Sequence, residues 1–326
     1  MKLPIAVLLV VLPTVVPASP TQQALESARQ QFEAGRYEAV IATLTAALVQ
    51  QPSNPEFHYW LARAYFELDD YNRAIQAAER AVALLPSNSD FHYWLARAYG
   101  RKASRERSFS YARKTKAAFE EAVRTGPSNL AARRALAEYY ARAPWIAGGN
   151  DGKAREQCRA VARLDPVEGH LCWATYWVDA GEPVRAESEY RRALARQPNR
   201  LEPYLEVIEF YESRNDPAAM ENVLEAAEGL QTSDPRLDYY RGVARVLAGN
   251  RLDQAEQFLQ NYLDRAPRRN DWPPLAAAHE WLGRLYEKQG RPREAAEHYR
   301  AALGLDPRRD SARTALQRME KNSSRP

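Results

Sequence analysis

The chain has 326 residues, of which 45% are apolar and 27% charged, a composition that allows a packed core and argues against global disorder. Lys and Arg number 46 against 42 Asp and Glu, and so small an excess of positive charge gives no support to nucleic-acid binding. The two cysteines, Cys158 and Cys172, are too few for a zinc ribbon or a disulfide framework.

The first 18 residues have the pattern of a secretory signal peptide. Lys2 is followed by an apolar run from Leu3 to Leu12 and then by small residues ending at Ala18, which is the order of segments typical of a cleaved signal. An uncleaved anchor is the alternative, but the apolar stretch is shorter than the roughly 20 residues that span a bilayer. We therefore predict cleavage after Ala18, location in the periplasm or secretion, and a mature chain that does not span a membrane.

A nine-residue segment, FHYWLARAY, occurs at 57–65 and again at 91–99, 34 positions later. In the first copy Ala62 and Tyr65 lie at helical spacing, and a second helical stretch follows that ends before Pro86. This pattern predicts two amphipathic helices closed by a proline turn. A unit of two helices cannot bury its apolar face alone, so neighbouring units must stack on one another.

Proline turns at similar intervals continue the repeat along the chain. The last unit repeats the small and aromatic positions most clearly, with Gly283 and Tyr286 at equivalent places. The repeat has a period of 34, small residues at fixed positions and a closing proline. In these features the chain resembles the tetratricopeptide-repeat family over about residues 21–307. The resemblance implies an all-α, right-handed superhelical solenoid of about eight helix pairs in 19–307, with a closing helix and a disordered tail in 308–326. The further turns are at Pro127, Pro166, Pro198, Pro235, Pro267 and Pro307.

No familiar catalytic arrangement is present in the sequence. It contains no phosphate-binding glycine loop, no H-E-x-x-H metal motif and no G-x-S-x-G nucleophile elbow. His58, His92 and His279 fall at the same point of three units, which favours packing over a unique site. We therefore expect a protein that is not an enzyme and has no catalytic residue, no cofactor and no metal site.

An insertion at 101–116 in the third unit is strongly basic. It contains seven Lys and Arg residues against a single acidic residue, Glu106. We interpret it as a solvated helical extension of the unit. The alternative is an envelope protein that binds anionic lipid or polymer through this segment.

A second insertion separates the two helices of the fourth unit, at about 143–152. It carries the apolar Trp145 and Ile146 beside three glycines. Because no Lys-Ser or Lys-Thr pair follows the glycines, a phosphate-binding loop is disfavoured. We expect a structural loop whose Trp145 and Ile146 fold back onto the stack, with a binding tip as the alternative.

The family resemblance also indicates where a partner would bind. In tetratricopeptide repeats the first helix of each unit lines a concave wall, and the matching positions here are Tyr59, Arg63, Tyr93, Arg97 and Arg134. A spacing of four places each Tyr on the same helical face as its Arg. An aromatic ring beside a guanidinium suits an extended peptide that carries carboxylates. The alternative is that the two tyrosines only cover neighbouring helices.

The cysteines flank a predicted turn at Asp165 and Pro166, one on each of two antiparallel helices. In an oxidising compartment Cys158 and Cys172 are expected to form a disulfide, and two buried free thiols are the alternative. The sequence as a whole predicts a scaffold for a protein or peptide partner in a bacterial envelope, with bacterial origin inferred from the signal and the family resemblance. Nucleic acid is not an expected partner.

Overall fold

The computed structural model describes residues 19–323, so the predicted signal at 1–18 lies outside this range. Within the range the regular elements are helical and no strand is present. None of the described helices combines the length and the apolar character needed to cross a membrane. The helices are α1 (Pro20–Glu33), α2 (Tyr37–Gln50), α3 (Pro55–Glu67), α4 (Tyr71–Leu84), α5 (Ser89–Glu106), α6 (Phe109–Thr125), α7 (Leu130–Arg142), α8 (Asp151–Leu164), α9 (Pro166–Asp179), α10 (Pro183–Leu194), α11 (Glu202–Ser213), α12 (Pro217–Glu228), α13 (Pro235–Ala248), α14 (Leu252–Arg265), α15 (Leu275–Lys288), α16 (Pro292–Leu305) and α17 (Asp310–Ser323).

The helices stack in consecutive pairs. Each odd-numbered helix from α1 to α15 packs against the even-numbered helix that follows it, and each pair then packs on the next. The last helix, α17, packs on α16. The described chain therefore contains eight helix pairs and a closing helix, which confirms the predicted all-α solenoid.

Side-chain caps begin the first helix of successive units. The Asn54 side chain accepts hydrogen bonds from the backbone N–H groups of Glu56 and Phe57. Asn88 makes the equivalent pair of bonds 34 residues later. Such caps satisfy N–H groups that have no partner inside the helix, so the repeated Asn sets the same helix start in both units.

Small residues let the two helices of a pair approach closely. Ala62, Ala96 and Ala137 occupy one position of three successive units and are all buried. In the last pair Gly283 takes this place, and a Cβ atom there would lie 2.7 Å from the Tyr299 ring. The spacing between helices at this position thus depends on the side chain being small.

The basic insertion lengthens both helices of the third pair. Helix α5 has 18 residues and α6 has 17, and the turn between them passes through Arg107 at a φ of 51°. This is the helical extension that the sequence predicts. It makes the α5–α6 pair project further along the helix axes than the pairs beside it.

The loop between α7 and α8 differs from the expectation. Trp145 is 85% exposed and Ile146 is 53% exposed, so the predicted folding of these side chains onto the stack is wrong. The loop is anchored instead by Ala147, which is buried, and whose carbonyl oxygen accepts a hydrogen bond of 2.8 Å from the Tyr139 hydroxyl. Because a small side chain and the backbone make the attachment, the two large apolar side chains remain outside.

Residues 266–274 join α14 to α15 and are called the connector below. Arg269 forms an ion pair of 2.5 Å with Glu33. The backbone N–H of Asn270 donates to Glu67 at 2.7 Å. Residues more than 200 positions apart in the sequence thereby touch, which places the connector against the first two pairs of the solenoid.

Candidate functional site

The odd-numbered helices form the inner wall of the solenoid. From α1 to α15 each of them contacts the next odd-numbered helix, whereas no comparable packing joins successive even-numbered helices between residues 19 and 323. A groove of about 1220 Å³ opens on this wall beside the long α5–α6 pair, α7 and the Trp145 loop. Its lining residues include Tyr93, Arg97, Arg101, Arg107, Arg134, Tyr139 and Asp271.

Arg97 presents its guanidinium to this groove. Its Cζ atom lies 4.2 Å from the centre of the Trp94 ring and 4.9 Å from that of Phe66, and these contacts hold the charge in place. In the next unit the residue equivalent to Trp94 is Ala135, which also lines the groove. The small alanine leaves the outer face of Arg97 open, so the cation is positioned by rings on one side and accessible from the other.

Arg63 occupies the equivalent position one unit earlier and is half-buried like Arg97, but a ring of the next unit also packs on it. Its Cζ atom lies 4.4 Å from the Phe32 ring, 4.3 Å from Trp60 and 4.8 Å from Trp94. Its Nε atom is buried and has no hydrogen-bond partner among the described residues. Trp94 therefore packs on the face of Arg63 that points to the next unit. On the equivalent face of Arg97 the next unit has only Ala135, so the structure gives Arg63 a packing role.

The two tyrosines of the repeated segment also differ. The Tyr59 ring lies 5.0 Å from that of Phe91 in the next unit, and burial raises the pKa of the Tyr59 phenol. Tyr93 packs less closely, at 6.1 Å from Phe119, and lines the groove. The alternative interpretation, in which the tyrosine covers its neighbour, therefore describes Tyr59, whereas Tyr93 lines the groove.

Arg134 lines the groove, but its donors are used within the chain. It pairs with Glu168 at 2.7 Å and with both carboxylate oxygens of Glu206 at 2.7 and 2.8 Å. Burial alone would lower the pKa of this guanidinium, but the two carboxylates raise it well above its ordinary value. A guanidinium held by two carboxylates is not available to a partner's carboxylate, so Arg134 serves the wall itself.

The connector supplies a carboxylate at the edge of the same groove. Asp271 lines the cavity with Arg97 and forms an ion pair of 2.7 Å with Arg269. Burial alone would raise the pKa of Asp271, but the hydrogen bond and charge of Arg269, together with the charge of Arg97, hold it below its ordinary value. Arg269 of the connector is thus the main partner that keeps this carboxylate ionised, and Arg97 adds a smaller contribution.

A second cavity, of about 610 Å³, lies between the connector and helices α11, α13 and α15. Glu209 accepts a hydrogen bond of 2.7 Å from the Tyr240 hydroxyl, and Glu212 accepts one of 3.3 Å from Tyr239. Desolvation by the surrounding wall raises the pKa of both carboxyls. The connector therefore separates an acidic cavity from the basic groove, a division that the sequence did not predict. The 40-residue interval between Pro267 and Pro307 was the available signal of extra chain there.

The repeated histidines have structural partners. Nε2 of His58 lies 3.0 Å from the carbonyl oxygen of Pro52, and Nε2 of His92 lies 2.8 Å from that of Pro86. Each imidazole thus ties the start of a helix to the preceding turn. His279 instead has its Nδ1 atom 3.0 Å from Nδ1 of His298. In the described part of the chain, no group of three or more His, Cys, Asp or Glu side chains is arranged to hold a metal ion.

Cys158 on α8 and Cys172 on α9 are both buried and are joined by a disulfide in the structure, with Cα atoms 5.4 Å apart. The geometry shows that the two side chains meet across the turn at Asp165 and Pro166. Whether the protein carries the bond in its own compartment stays a prediction, because formation depends on the redox environment.

The fold defines the class of protein. Models of the tetratricopeptide repeat match residues 25–89, 62–103 and 276–309, at the positions where the sequence pattern is clearest. The chain contains tetratricopeptide repeats in these segments, and this fold is typical of protein-interaction scaffolds. Repeat proteins of this type are generally not catalytic.

Solved structures of similar fold come from several sources. The APC/C hetero-tetramer Cut9–Hcn1 superposes with a TM-score of 0.52 at 18% identity, over 92% of this chain and 55% of that chain. At this identity the likeness shows the fold alone. The tetratricopeptide-repeat protein TTC0263 of Thermus thermophilus is 26% identical, with a TM-score of 0.47, over 56% of this chain and 94% of that chain.

One curated relative shares a short segment. The "Probable biofilm formation methyltransferase WspC" of Pseudomonas putida is 35% identical over 71 residues, which are 22% of this chain and 15% of the relative. The chain thus spans a small part of that protein and about half of the Cut9–Hcn1 chain. Because so little of the methyltransferase is matched, its activity does not transfer to this chain.

Proposed function

We propose that the protein is a non-enzymatic scaffold of the bacterial envelope that binds an extended, acidic peptide segment of a partner protein in the groove beside Arg97. The observation that carries the proposal is the environment of this guanidinium: Trp94 and Phe66 hold it from one side, and Ala135 leaves its other side open to a groove of about 1220 Å³. A held but accessible guanidinium binds a carboxylate with two parallel hydrogen bonds at a low entropic cost.

Charge and shape of the groove support the same ligand. Arg101 and Arg107 line it together with the aromatic rings of Tyr93 and Tyr139, and the basic lining residues outnumber the three carboxylates there, which are Glu138, Glu202 and Asp271. Arg97 contributes, beside the ion pair with Arg269, to the lowered pKa of Asp271, and this attraction supports the binding of a carboxylate at this edge. A peptide with carboxylates near apolar or aromatic side chains would complement this lining, and the connector would end the bound segment at the acidic cavity.

Export and envelope location are part of the proposal and rest on the sequence. The pattern of residues 1–18 supports a cleaved signal. A disulfide between Cys158 and Cys172 would be stable only in an oxidising compartment such as the periplasm, which agrees with that location.

Site-specific photocrosslinking in cells tests where partners bind. A photoreactive residue is placed at Ser104, which is exposed and lines the groove, and in a second strain at Val184, which is 77% exposed on α10 and is not part of the groove lining. We expect discrete protein adducts at Ser104 and none at Val184. Arg97→Glu should remove the Ser104 adducts, because a central charged anchor typically contributes at least about 2 kcal/mol, or roughly 30-fold in affinity.

The matched control is Arg300→Glu, which makes the same charge change at an exposed position on α16. It should leave the adducts unchanged. Equal labelling at Ser104 and Val184, or undiminished adducts with Arg97→Glu, would show that this groove is not the binding site.

A further inference from the structure

Three exposed apolar side chains lie at one edge of the solenoid. Trp145 is 85% exposed, Ile146 is 53% exposed and Phe109 is 53% exposed. Trp145 and Ile146 belong to the loop between α7 and α8, whereas Phe109 begins α6. We call these three side chains the apolar edge.

Two contacts bring the loop and α6 together. The Tyr139 hydroxyl lies 2.7 Å from the carbonyl oxygen of Ala112 on α6 and 2.8 Å from that of Ala147 in the loop, and it shares its one proton between these two acceptors. Phe109 lies three residues before Ala112 and Pro144 lies three residues before Ala147, and both line the same groove. One hydroxyl thus binds both segments, and the apolar edge is a single surface rather than scattered residues.

The apolar edge is bordered by cations. Arg107 and Arg113 are exposed and flank Phe109 on both sides in sequence. Lys116 runs past the loop, because a Cβ on Gly148 would meet its Cδ atom at 2.8 Å. The insertion to which these three residues belong has seven Lys and Arg against one acidic residue, although the chain as a whole is nearly balanced at +4.

The combination matches the chemistry of a membrane surface. Tryptophan side chains favour the headgroup region of a bilayer, where the ring is partly desolvated and its N–H remains hydrogen-bonded. Basic residues beside an apolar surface are attracted to anionic headgroups. A protein partner could also cover the exposed tryptophan with a pocket. We favour a lipid surface instead, because the cations around this edge match an extended layer of negative charge.

We propose that the apolar edge and the cations around it bind the protein peripherally to anionic lipid bilayers. Trp145, Ile146 and Phe109 enter the headgroup region, while Arg107, Arg113 and Lys116 contact lipid phosphates. The inference goes beyond peptide binding in the groove, since it assigns a different ligand and depends on Trp145 and Ile146, which are not part of the groove lining. Arg107 and Phe109 lie where the two surfaces adjoin. Bound in this way, the protein would hold its groove beside the membrane.

Cosedimentation with vesicles tests the proposal on the chain from Ser19 onward, which contains the whole described solenoid. The probes are vesicles of equal parts phosphatidylglycerol and phosphatidylcholine, and vesicles of phosphatidylcholine alone. We expect binding to the anionic vesicles that weakens with added salt, and little binding to the neutral ones. Arg107→Glu with Arg113→Glu should lower the partition coefficient at least about 25-fold, from about five-fold for each neutralised charge.

The triple variant Phe109→Ser, Trp145→Ser, Ile146→Ser tests the apolar contribution and should lower binding about ten-fold or more. Its control is Val49→Ser with Val184→Ser, two residues exposed to 76% and 77% elsewhere on the solenoid, which should bind as the parent does. Arg293→Glu with Arg300→Glu controls for net charge. Equal binding to both kinds of vesicle, absence of binding, or an unaffected triple variant would each overturn the proposal.

Groove binding and membrane binding are separable in these experiments. Arg97→Glu should remove the photocrosslinked adducts and keep most of the vesicle binding. The double variant Trp145→Ser, Ile146→Ser leaves every residue of the groove lining unchanged, so it should weaken vesicle binding while the adducts at Ser104 persist. If Arg97→Glu and this double variant each remove both activities, the two surfaces are not independent, and the membrane proposal fails.

Discussion

Gly169 provides the sharpest test of how the solenoid is packed. It lies in α9, where a Cβ atom would stand 2.5 Å from the Cβ of Ala162 on α8, the second helix of the preceding pair, and 3.1 Å from the backbone nitrogen of Ala162. Ordinary contacts begin at 3.4 Å, so the two helices would have to separate by about 1 Å. Gly169→Ala is therefore expected to destabilise the fold, because the contact involves the helix backbone, which cannot turn aside as a long side chain can.

The magnitude follows from two opposing effects. Overpacking of a tight contact typically costs about 1–3 kcal/mol, whereas Ala is favoured over Gly inside a helix by about 1 kcal/mol. Gly304 in α16 is a matched control, since a Cβ there meets nothing within 4 Å. Gly304→Ala should show the propensity gain alone, so the two variants should differ by about 1–3 kcal/mol in the free energy of unfolding.

Urea denaturation followed by circular dichroism measures that difference. Hydrogen exchange of peptides from α8 and α9 adds local information, since repeat arrays are able to unfold unit by unit. Faster exchange confined to these two helices in Gly169→Ala is the expected result. A Gly169→Ala variant as stable as Gly304→Ala would mean that α8 and α9 are further apart than described, and the packing argument would be refuted.

Two further predictions concern the disulfide between Cys158 and Cys172 and the dependence of stability on pH. Non-reducing mass analysis of the exported protein should show a mature N-terminus at Ser19 and a mass two hydrogens below that of the dithiol. Cys158→Ser should lower the free energy of unfolding by about 3 kcal/mol, because the bond closes a loop of about 15 residues. A mass that shows two free thiols would contradict the disulfide. Burial and the neighbouring His298 lower the pKa of His279 below its ordinary value of 6.5, and burial also lowers that of His298. Since the unfolded chain then binds protons more readily than the folded one, stability should fall as the pH drops through 6.5. In His298→Gln this loss should be smaller, and an unchanged pH profile of unfolding would contradict the pairing.

Much of the site was accessible from the repeat alone. The copies of FHYWLARAY identified the helices of the inner wall and, through the family resemblance, Tyr93 and Arg97. The same alignment held an unused signal, because Trp94 of one unit corresponds to Ala135 of the next. That exchange is the reason a ring of the next unit packs on Arg63 and none packs on Arg97.

The local sequence determined the helix pairs, their caps and their order, because each of these depends on residues within one unit or its neighbour. Asn54 caps the helix that it precedes, and Ala62 is buried within its own repeat and the neighbouring ones. Only the tertiary structure decided which distant groups meet. The contacts of Arg269 with Glu33 and of Asn270 with Glu67 arise from small rotations accumulated over seven stacked pairs, and no single repeat encodes that sum. The ion pairs of Arg134 and the exposure of Trp145 likewise depend on where neighbouring helices and loops come to lie, which the spacing of residues along the chain does not specify.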